Sequence, residues 1–127
     1  MANQQLDLGR FSEPALLILI SLCGGERHGY AMMDDIAAFS GVKLGPGTLY
    51  GALARLEKQR LIEPVPSNDR RQPYRLTDAG TAALQEQLDA IRSVMTAGMQ
   101  RIRERDRTAH ERELDAGALS PKLAGQV

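Results

Sequence analysis

Cationic side chains are concentrated between residues 43 and 75. This stretch holds seven Lys and Arg residues against three Asp and Glu residues, a net charge of +4, whereas the whole chain has 16 of each sign and a net charge of zero. Guanidinium and ammonium groups bind phosphate oxygens, so the asymmetry predicts a surface for an anionic polymer. The seven cations are Lys43, Arg55, Lys58, Arg60, Arg70, Arg71 and Arg75.

The helix predicted within this cationic stretch has one face of small residues. Gly45 and Pro46 open the helix, because proline is favoured in a first helical turn. Its inward stripe has helical spacing and consists of Leu49, Leu53 and Leu56. The opposite face consists of Gly47, Gly51, Ala54 and Lys58, and its flanks carry Thr48, Tyr50 and Arg55. A mid-helix glycine such as Gly51 costs about 1 kcal/mol relative to alanine, so this face predicts close approach of the helix backbone to an external ligand.

Residues that could catalyse a reaction are too few and too scattered to form a site. The two histidines, His28 and His110, lie far apart in the sequence, and no Ser/His/Asp set or metal-ligand spacing occurs. The glycines around Pro46 lack the lysine of a phosphate-binding loop. The single cysteine, Cys23, excludes an internal disulfide and a multi-cysteine metal site, and we expect it to be a small buried hydrophobic residue. We therefore expect no enzyme, no cofactor and no metal.

The composition is that of a globular protein with an aliphatic core. Of the 127 residues, 43% are hydrophobic and only 4% are aromatic, with no tryptophan. The longest apolar run, residues 15–20, is much shorter than a bilayer span, which needs about 20 residues. We therefore expect no membrane association. With one cysteine and no visible secretory signal, the expected location is the reducing cytoplasm.

Two further helices and a hairpin are predicted around the cationic helix. The apolar segment between Pro14 and Gly24 has no polar face, which predicts a central buried helix. Residues 29–39 predict a second helix. Its apolar face consists of Met33, Ile36 and Ala37, and its solvated side carries Asp34 and Asp35. Residues 61–65 and 73–76 are short extended runs around a Ser-Asn-Asp turn, which predicts a β-hairpin with its prolines at edge positions.

A heptad seam runs along the fourth predicted helix, which Thr77 caps. Its apolar residues alternate between spacings of 4 and 3, with Gly98 as the one gap. A domain this small does not cover so long a stripe, so pairing with a second copy is predicted; folding back onto its own core is the alternative. The predicted dimer interface consists of Leu84, Leu88, Ile91, Met95, Met99 and Ile102.

The element order is three helices, a hairpin and a long helix, which is the pattern of a winged helix-turn-helix protein. The predicted fold class is therefore mainly α with a small β-hairpin. Residues 1–11 are predicted to form a flexible arm and residues 12–77 the winged helix-turn-helix domain. Residues 78–106 are predicted to form a long C-terminal dimerisation helix, and residues 107–127 a charged helix end that frays from Gly117.

In this pattern the third helix enters a DNA major groove, and the hairpin contacts the backbone or the minor groove. The DNA-binding residues predicted on this basis are Lys43, Gly47, Thr48, Tyr50, Arg55, Lys58, Arg70, Arg71 and Arg75. Arg55 and Lys58 could instead be solvated helix charges. Arg70 and Arg71 could be ordinary loop polarity, and Tyr50 could lie at the edge of the core.

Four short motifs carry a more specific signal. They are His28-Gly29-Tyr30, Gly47-Thr48-Leu49-Tyr50 followed by Arg55-Leu56-Glu57, Leu61-Ile62-Glu63, and Tyr74-Arg75-Leu76-Thr77 followed by Gly80. Together they resemble the PadR family of transcriptional regulators, in its short subfamily with a single C-terminal helix. The resemblance covers roughly residues 12–105.

The resemblance implies a dimeric winged-helix repressor, and many members respond to small aromatic or cationic toxic compounds. It implies that Tyr30, Thr48 and Tyr50 contact DNA and that the segment from Arg70 to Arg75 is the wing. Members that bind flat drugs use tryptophans, which this chain lacks, so that ligand mode is not expected. The expected function is a sequence-specific, ligand-responsive repressor that binds a pseudo-palindromic operator as a homodimer. A winged-helix protein-interaction adaptor without DNA binding is the alternative.

Overall fold

The computed structural model describes the backbone of residues 13–125 and the side chains of residues 13–117. The predicted arm at residues 1–11 lies outside the described residues. The elements in chain order are α1 (Pro14–Cys23), β1 (Arg27–His28), α2 (Gly29–Ser40), α3 (Pro46–Lys58), β2 (Ile62–Pro64), β3 (Pro73–Leu76) and α4 (Asp78–Gly125). The chain divides into two compact units, Met1–Gln87 and Leu88–Val127, here called the N-terminal and C-terminal units.

Helix α1 is the centre of the N-terminal unit, as its apolar sequence predicts. It contacts α2, α3 and β3. Its buried residues are Leu16, Leu17, Ile18, Leu19, Ser21 and Leu22. The prediction for Cys23 is wrong, because this residue is exposed. Cys23 is the last residue of α1 and is followed by exposed Gly24 and Gly25, so no neighbouring element covers it.

The apolar face of α2 agrees with the prediction at Ile36, but the predicted Met33 and Ala37 are only half-buried. The buried residues are Gly29, Met32 and Ile36. Their spacing of 3 and 4 residues places them on one helical face, and Met33 and Ala37 lie one position beside it. The helix ends at Gly41, whose left-handed φ of 75° favours glycine.

The sequence predicts Asp35 on the solvated side of α2, but in the structure its carboxylate contacts α1. Ser21 is the buried polar residue of α1, with 1% of its surface exposed. Its hydroxyl donates a hydrogen bond to Asp35 Oδ2 at 2.8 Å, and Arg27 Nε lies 3.7 Å from the same oxygen. A buried hydroxyl needs a partner, so Asp35 lies on the inner side of α2.

The wing is part of a three-stranded antiparallel sheet in the order β1-β3-β2, not the two-stranded hairpin predicted. Strand β1 pairs with β3 through Arg27 opposite Tyr74, and the next pair in that ladder joins His28 to Pro73. Two residues between two helices are too few for a strand pattern to be visible in the sequence. Pro73 therefore begins the central strand rather than an edge strand, and as a first residue it is tolerated there.

Helix α4 begins against the segment that joins α3 to β2. Thr77 caps it, since the Gly80 amide donates to Thr77 Oγ1 at 3.0 Å, and the same hydroxyl donates to the Arg60 carbonyl at 2.8 Å. A Cβ atom at Gly80 would collide with the Leu61 carbonyl oxygen, so glycine lets the helix approach that backbone. One turn later, Leu84 is 4% exposed and belongs to the core.

One prediction about α4 is corrected by the burial of Leu84, and another stays a prediction. The sequence predicts Leu84 at a dimer interface, but it is buried within its own unit because Gly80 brings this part of the helix close to Leu61. The helix extends to Gly125, and the fraying from Gly117 stays a prediction. The charged segment is held by pairs one turn apart, including Arg107 Nη1 with Glu111 Oε2 at 2.7 Å.

Candidate nucleic-acid interface

Helix α3 has a buried stripe and an exposed face of small residues. The buried residues are Leu49, Ala52, Leu53 and Leu56. The exposed residues opposite and beside them are Gly47, Thr48, Ala54, Arg55 and Lys58, and Gly51 is half-buried. A Cβ at Gly47 would meet no atom within 4 Å, and one at Gly51 would meet only Arg55 Nη1 at 3.8 Å. Packing within the described residues therefore does not demand either glycine.

Two exposed tyrosines lie beside this face. Tyr30, in the first turn of α2, is 56% exposed, and Tyr50, on α3, is 44% exposed. The Tyr50 ring lies against buried Gly29, where a Cβ would come within 2.5 Å of the phenol oxygen. One side of the Tyr50 ring is therefore covered by α2, as the alternative interpretation of a residue at the edge of the core predicts. The rest of the side chain is exposed.

His28 links the start of α2 to the wing. It is the N-cap of α2, with the Ala31 amide 3.3 Å from its Nδ1. Its Nε2 lies 3.3 Å from Arg71 Nη1. Both neighbours are N–H donors, whereas a neutral imidazole has one acceptor nitrogen. The ring therefore accepts one full hydrogen bond from these two donors at a time.

The tip of the wing is shaped by short local hydrogen bonds. The Asp69 amide donates to Ser67 Oγ at 3.0 Å, and the Arg70 amide donates to Asp69 Oδ1 at 2.6 Å. Gln72 Nε2 donates to the carbonyl oxygens of Val65 at 2.9 Å and Pro73 at 2.8 Å. These contacts use backbone groups and the side chains of Ser67, Asp69 and Gln72, and Arg70 and Arg71 remain exposed.

Arg75 differs from the other predicted cations of the wing. It lies opposite Glu63 in the ladder, and its Nε donates to Glu63 Oε2 at 2.7 Å. The hydrogen bond and the charge of Glu63 raise the pKa of the Arg75 guanidinium further above its usual range. Half of this side chain is exposed, but a paired guanidinium offers less positive charge to a phosphate than an unpaired one does.

Four of the predicted DNA-binding residues line one cavity of about 320 Å³. They are Tyr30, Tyr50, Arg70 and Arg71, and they are joined there by His28 and Gly29. The other predicted residues lie elsewhere on the N-terminal unit: Lys43 is exposed between α2 and α3, and Lys58 is the last residue of α3. His28 and Gly29 are not among the predicted DNA-binding residues, although the His28-Gly29-Tyr30 motif could have indicated them.

Tyr74 is packed within the wing. It is half-buried on the central strand β3. Burial raises the pKa of its phenol, and the nearby Glu57 and Tyr50 raise it further. Its neutral form is therefore favoured, and its role is to support the sheet.

The C-terminal unit exposes large apolar side chains along α4. Met95 is 54%, Met99 50% and Ile102 62% exposed, while Leu88 and Ile91 are half-buried. Val94 beside them is 74% exposed. Among the described residues, no helix is long and apolar enough to cross a membrane, and no three His, Cys, Asp or Glu side chains cluster as metal ligands do.

Three helices, a sheet-based wing and a bare, cation-flanked third helix define a winged helix-turn-helix protein. The sequence profile of the transcriptional regulator PadR-like family matches residues 16–86, more than half of the chain. The chain belongs to that family, as the motifs predicted.

Solved structures of similar proteins agree with this assignment. A PadR family transcription regulator from hypervirulent Clostridium difficile R20291 is 28% identical, with a TM-score of 0.63 over 68% of this chain and 95% of its own. A PadR-like transcriptional regulator from Bacillus cereus is 25% identical, with a TM-score of 0.59 over 65% of this chain and 84% of its own. The predicted fold class is thereby confirmed.

A longer relative shares part of the sequence. An uncharacterised 37.1 kDa protein in transposon TN4556 of Streptomyces fradiae is 44% identical over 82 residues, which make up 65% of this chain. The matched part is 24% of that protein, so the chain corresponds to about a quarter of its length.

Proposed function

We propose that this protein is a sequence-specific transcriptional repressor that binds a pseudo-palindromic operator as a homodimer in the cytoplasm. The observation that carries the proposal is the grouping of Tyr30, Tyr50, Arg70 and Arg71 around one cavity beside the bare face of α3. Hydroxyl and guanidinium groups are the usual partners of DNA phosphates, and a helix with a bare outer face fits deeply into a major groove.

The side chains of α3 and of the wing have different roles in this proposal. Thr48, Arg55 and Lys58 project from the exposed side of α3 and are assigned to base edges and the adjacent phosphates. Arg70 and Arg71 at the tip of the wing are assigned to phosphates, which fix the orientation of the protein without reading the sequence.

The homodimer is proposed from the apolar seam of α4. Leu88, Ile91, Met95, Met99 and Ile102 are apolar at heptad-like spacing, and the last three are at least half exposed. A second copy would bury this stripe by the same surface on both chains. A two-fold dimer then binds two half-sites about 34 Å apart.

The proposed function also includes regulation by a small-molecule ligand. Methionine side chains repack easily around different partners, and Met95 and Met99 stand next to the gap left by Gly98. We assign a small apolar effector to this seam, where it would change the separation of the two wings. Small-angle scattering with and without candidate effectors measures that separation. An unchanged separation for every effector that binds would contradict the proposed ligand response.

The deciding experiment is a titration of the protein with the DNA fragment upstream of its own coding sequence and with random DNA of equal length. Fluorescence anisotropy at several salt concentrations should show tighter binding to the specific fragment and a steep loss of affinity with added salt, because released counterions accompany each phosphate contact. Equal binding to both fragments would contradict the repressor. Absence of DNA binding at low salt would favour a winged-helix adaptor that binds proteins.

A further inference from the structure

The first residue of α2 and the side chain of Tyr50 are in direct contact. Gly29 is buried at the start of α2. A Cβ built on it would lie 2.5 Å from the Tyr50 phenol oxygen, 2.8 Å from Cζ and 3.1 Å from Cε1. Carbon atoms in good contact are about 3.5–4.0 Å apart, so the ring occupies the space that any larger residue at position 29 would need.

The backbone at position 29 does not itself require glycine. The described glycines with positive φ are Gly25 and Gly41, and Gly29 instead begins a helix. Alanine is favoured over glycine in a helix, so local propensity argues against the residue found here. The Tyr50 ring is therefore the reason in this structure for a glycine at position 29.

We propose that Gly29 is a positioning residue that holds the Tyr50 phenol in its DNA-binding orientation. This inference rests on the proposed function, since it assigns Tyr50 to the DNA surface. Tyr50 is 44% exposed, and its ring reaches from α3 across to the start of α2, into the wall of the cavity it shares with Tyr30 and Arg71. Gly29 thus sets the side-chain orientation on α3 without touching DNA.

A double-mutant cycle on the full chain tests the contact, with Gly29→Ala, Tyr50→Ala and the double variant. The probe is the DNA fragment that the wild-type protein prefers, followed by fluorescence anisotropy at one salt concentration. We expect Gly29→Ala to weaken binding by roughly tenfold, within the range of a lost DNA contact, and Tyr50→Ala to weaken it by a similar factor. The double variant should bind no more weakly than Tyr50→Ala alone.

Gly117→Ala is the matched control. It is also a glycine-to-alanine change in a helix, but its Cβ would meet no atom within 4 Å, and it lies outside the proposed DNA surface. It should leave DNA affinity unchanged. Wild-type affinity for Gly29→Ala, or losses for the two single variants that multiply in the double variant, would overturn the proposal.

A measurement without DNA separates this inference from the proposed function. The chain has three tyrosines and no tryptophan, so the ring protons of Tyr50 can be assigned by NMR in the free protein. Gly29→Ala should shift the Tyr50 ring signals, whereas the control Gly117→Ala should leave them in place. An unshifted Tyr50 overturns the contact, whereas a shifted Tyr50 in a protein without DNA preference rejects the proposed function and, with it, the DNA role of Gly29.

If Gly29→Ala does not fold, the comparison moves to the double variant. Removing the ring with Tyr50→Ala opens the space next to position 29, so the double variant should fold and bind DNA as Tyr50→Ala does. A double variant that binds DNA more weakly than Tyr50→Ala would show an effect of position 29 that does not pass through Tyr50, which contradicts the proposal.

Discussion

The arginines of the proposed DNA surface differ in what they already contact. Arg75 is paired with Glu63 at 2.7 Å, and Arg71 Nη1 lies 3.3 Å from His28 Nε2, while the other ring nitrogen, Nδ1, faces the Ala31 amide. Arg55 is exposed on the outer side of α3. A cation must leave its present partner to bind a phosphate, so Arg70 and Arg71 are more available than Arg75 for phosphate contacts from the wing. The sequence alone predicts the same role for all three.

Replacing Arg55 or Arg71 by alanine is expected to change DNA binding in two different ways. If Arg55 reads a base edge, Arg55→Ala should weaken specific binding by about 1–3 kcal/mol and relax the preference at one operator position. Arg71→Ala should weaken binding to all sequences alike and reduce the salt dependence by about one counterion. Anisotropy titrations with the operator and with single-base variants measure both effects, and the reverse pattern would exchange the two roles.

At the scale of the elements, the packing of α4 on the segment between α3 and β2 depends on one glycine. Gly80→Ala is expected to destabilise the N-terminal unit by about 1–3 kcal/mol, the usual range for overpacking, because its Cβ would overlap the Leu61 carbonyl and lie 2.9 Å from Leu76 Cδ1. Urea denaturation measures the change. Gly47→Ala, whose Cβ meets nothing within 4 Å, is the control and should not destabilise the protein. Equal stability of both variants would show that α4 can move away from Leu61 without loss.

The helices with a strong apolar pattern were predictable from the sequence. The continuous run of α1 and the leucine stripe of α3 predicted their burial, and Thr77 predicted the start of α4 through its hydroxyl. Met32 and Met33 were not distinguishable, since adjacent residues of one type leave the phase of a helix open. Leu84 was assigned to the wrong surface because spacing alone does not tell which of two neighbours covers a residue.

The parts that the sequence did not predict depend on contacts between distant residues. Strand β1 exists because Arg27 and His28 meet β3, which lies about 45 residues further along the chain. The cavity beside α3 exists for the same reason, since His28 meets Arg71 across 43 residues. The cations of this surface are visible in the sequence, but the pairing of Arg75 with Glu63 is visible only in the structure.

At the scale of the whole molecule, the apolar seam of α4 predicts a homodimer, and one charged residue placed in that seam should prevent the dimer from forming. Met95→Glu is expected to leave the protein monomeric instead of the proposed homodimer, because a carboxylate buried between two apolar stripes loses its hydration. Analytical ultracentrifugation measures the mass, and operator affinity should fall because two half-sites are no longer held together. Ala97→Glu adds the same charge on the opposite side of the helix and should leave the dimer intact. A dimeric Met95→Glu would place the interface elsewhere.

The position of His28 between two N–H donors has a consequence for the proposed DNA complex. In the free protein the Ala31 amide faces Nδ1 and the Arg71 guanidinium faces Nε2, and a neutral imidazole accepts from only one of them at a time. If Arg71 binds a phosphate as proposed, the ring is left to the Ala31 amide alone. We therefore expect DNA binding to strengthen the cap of α2 and to order its first turn.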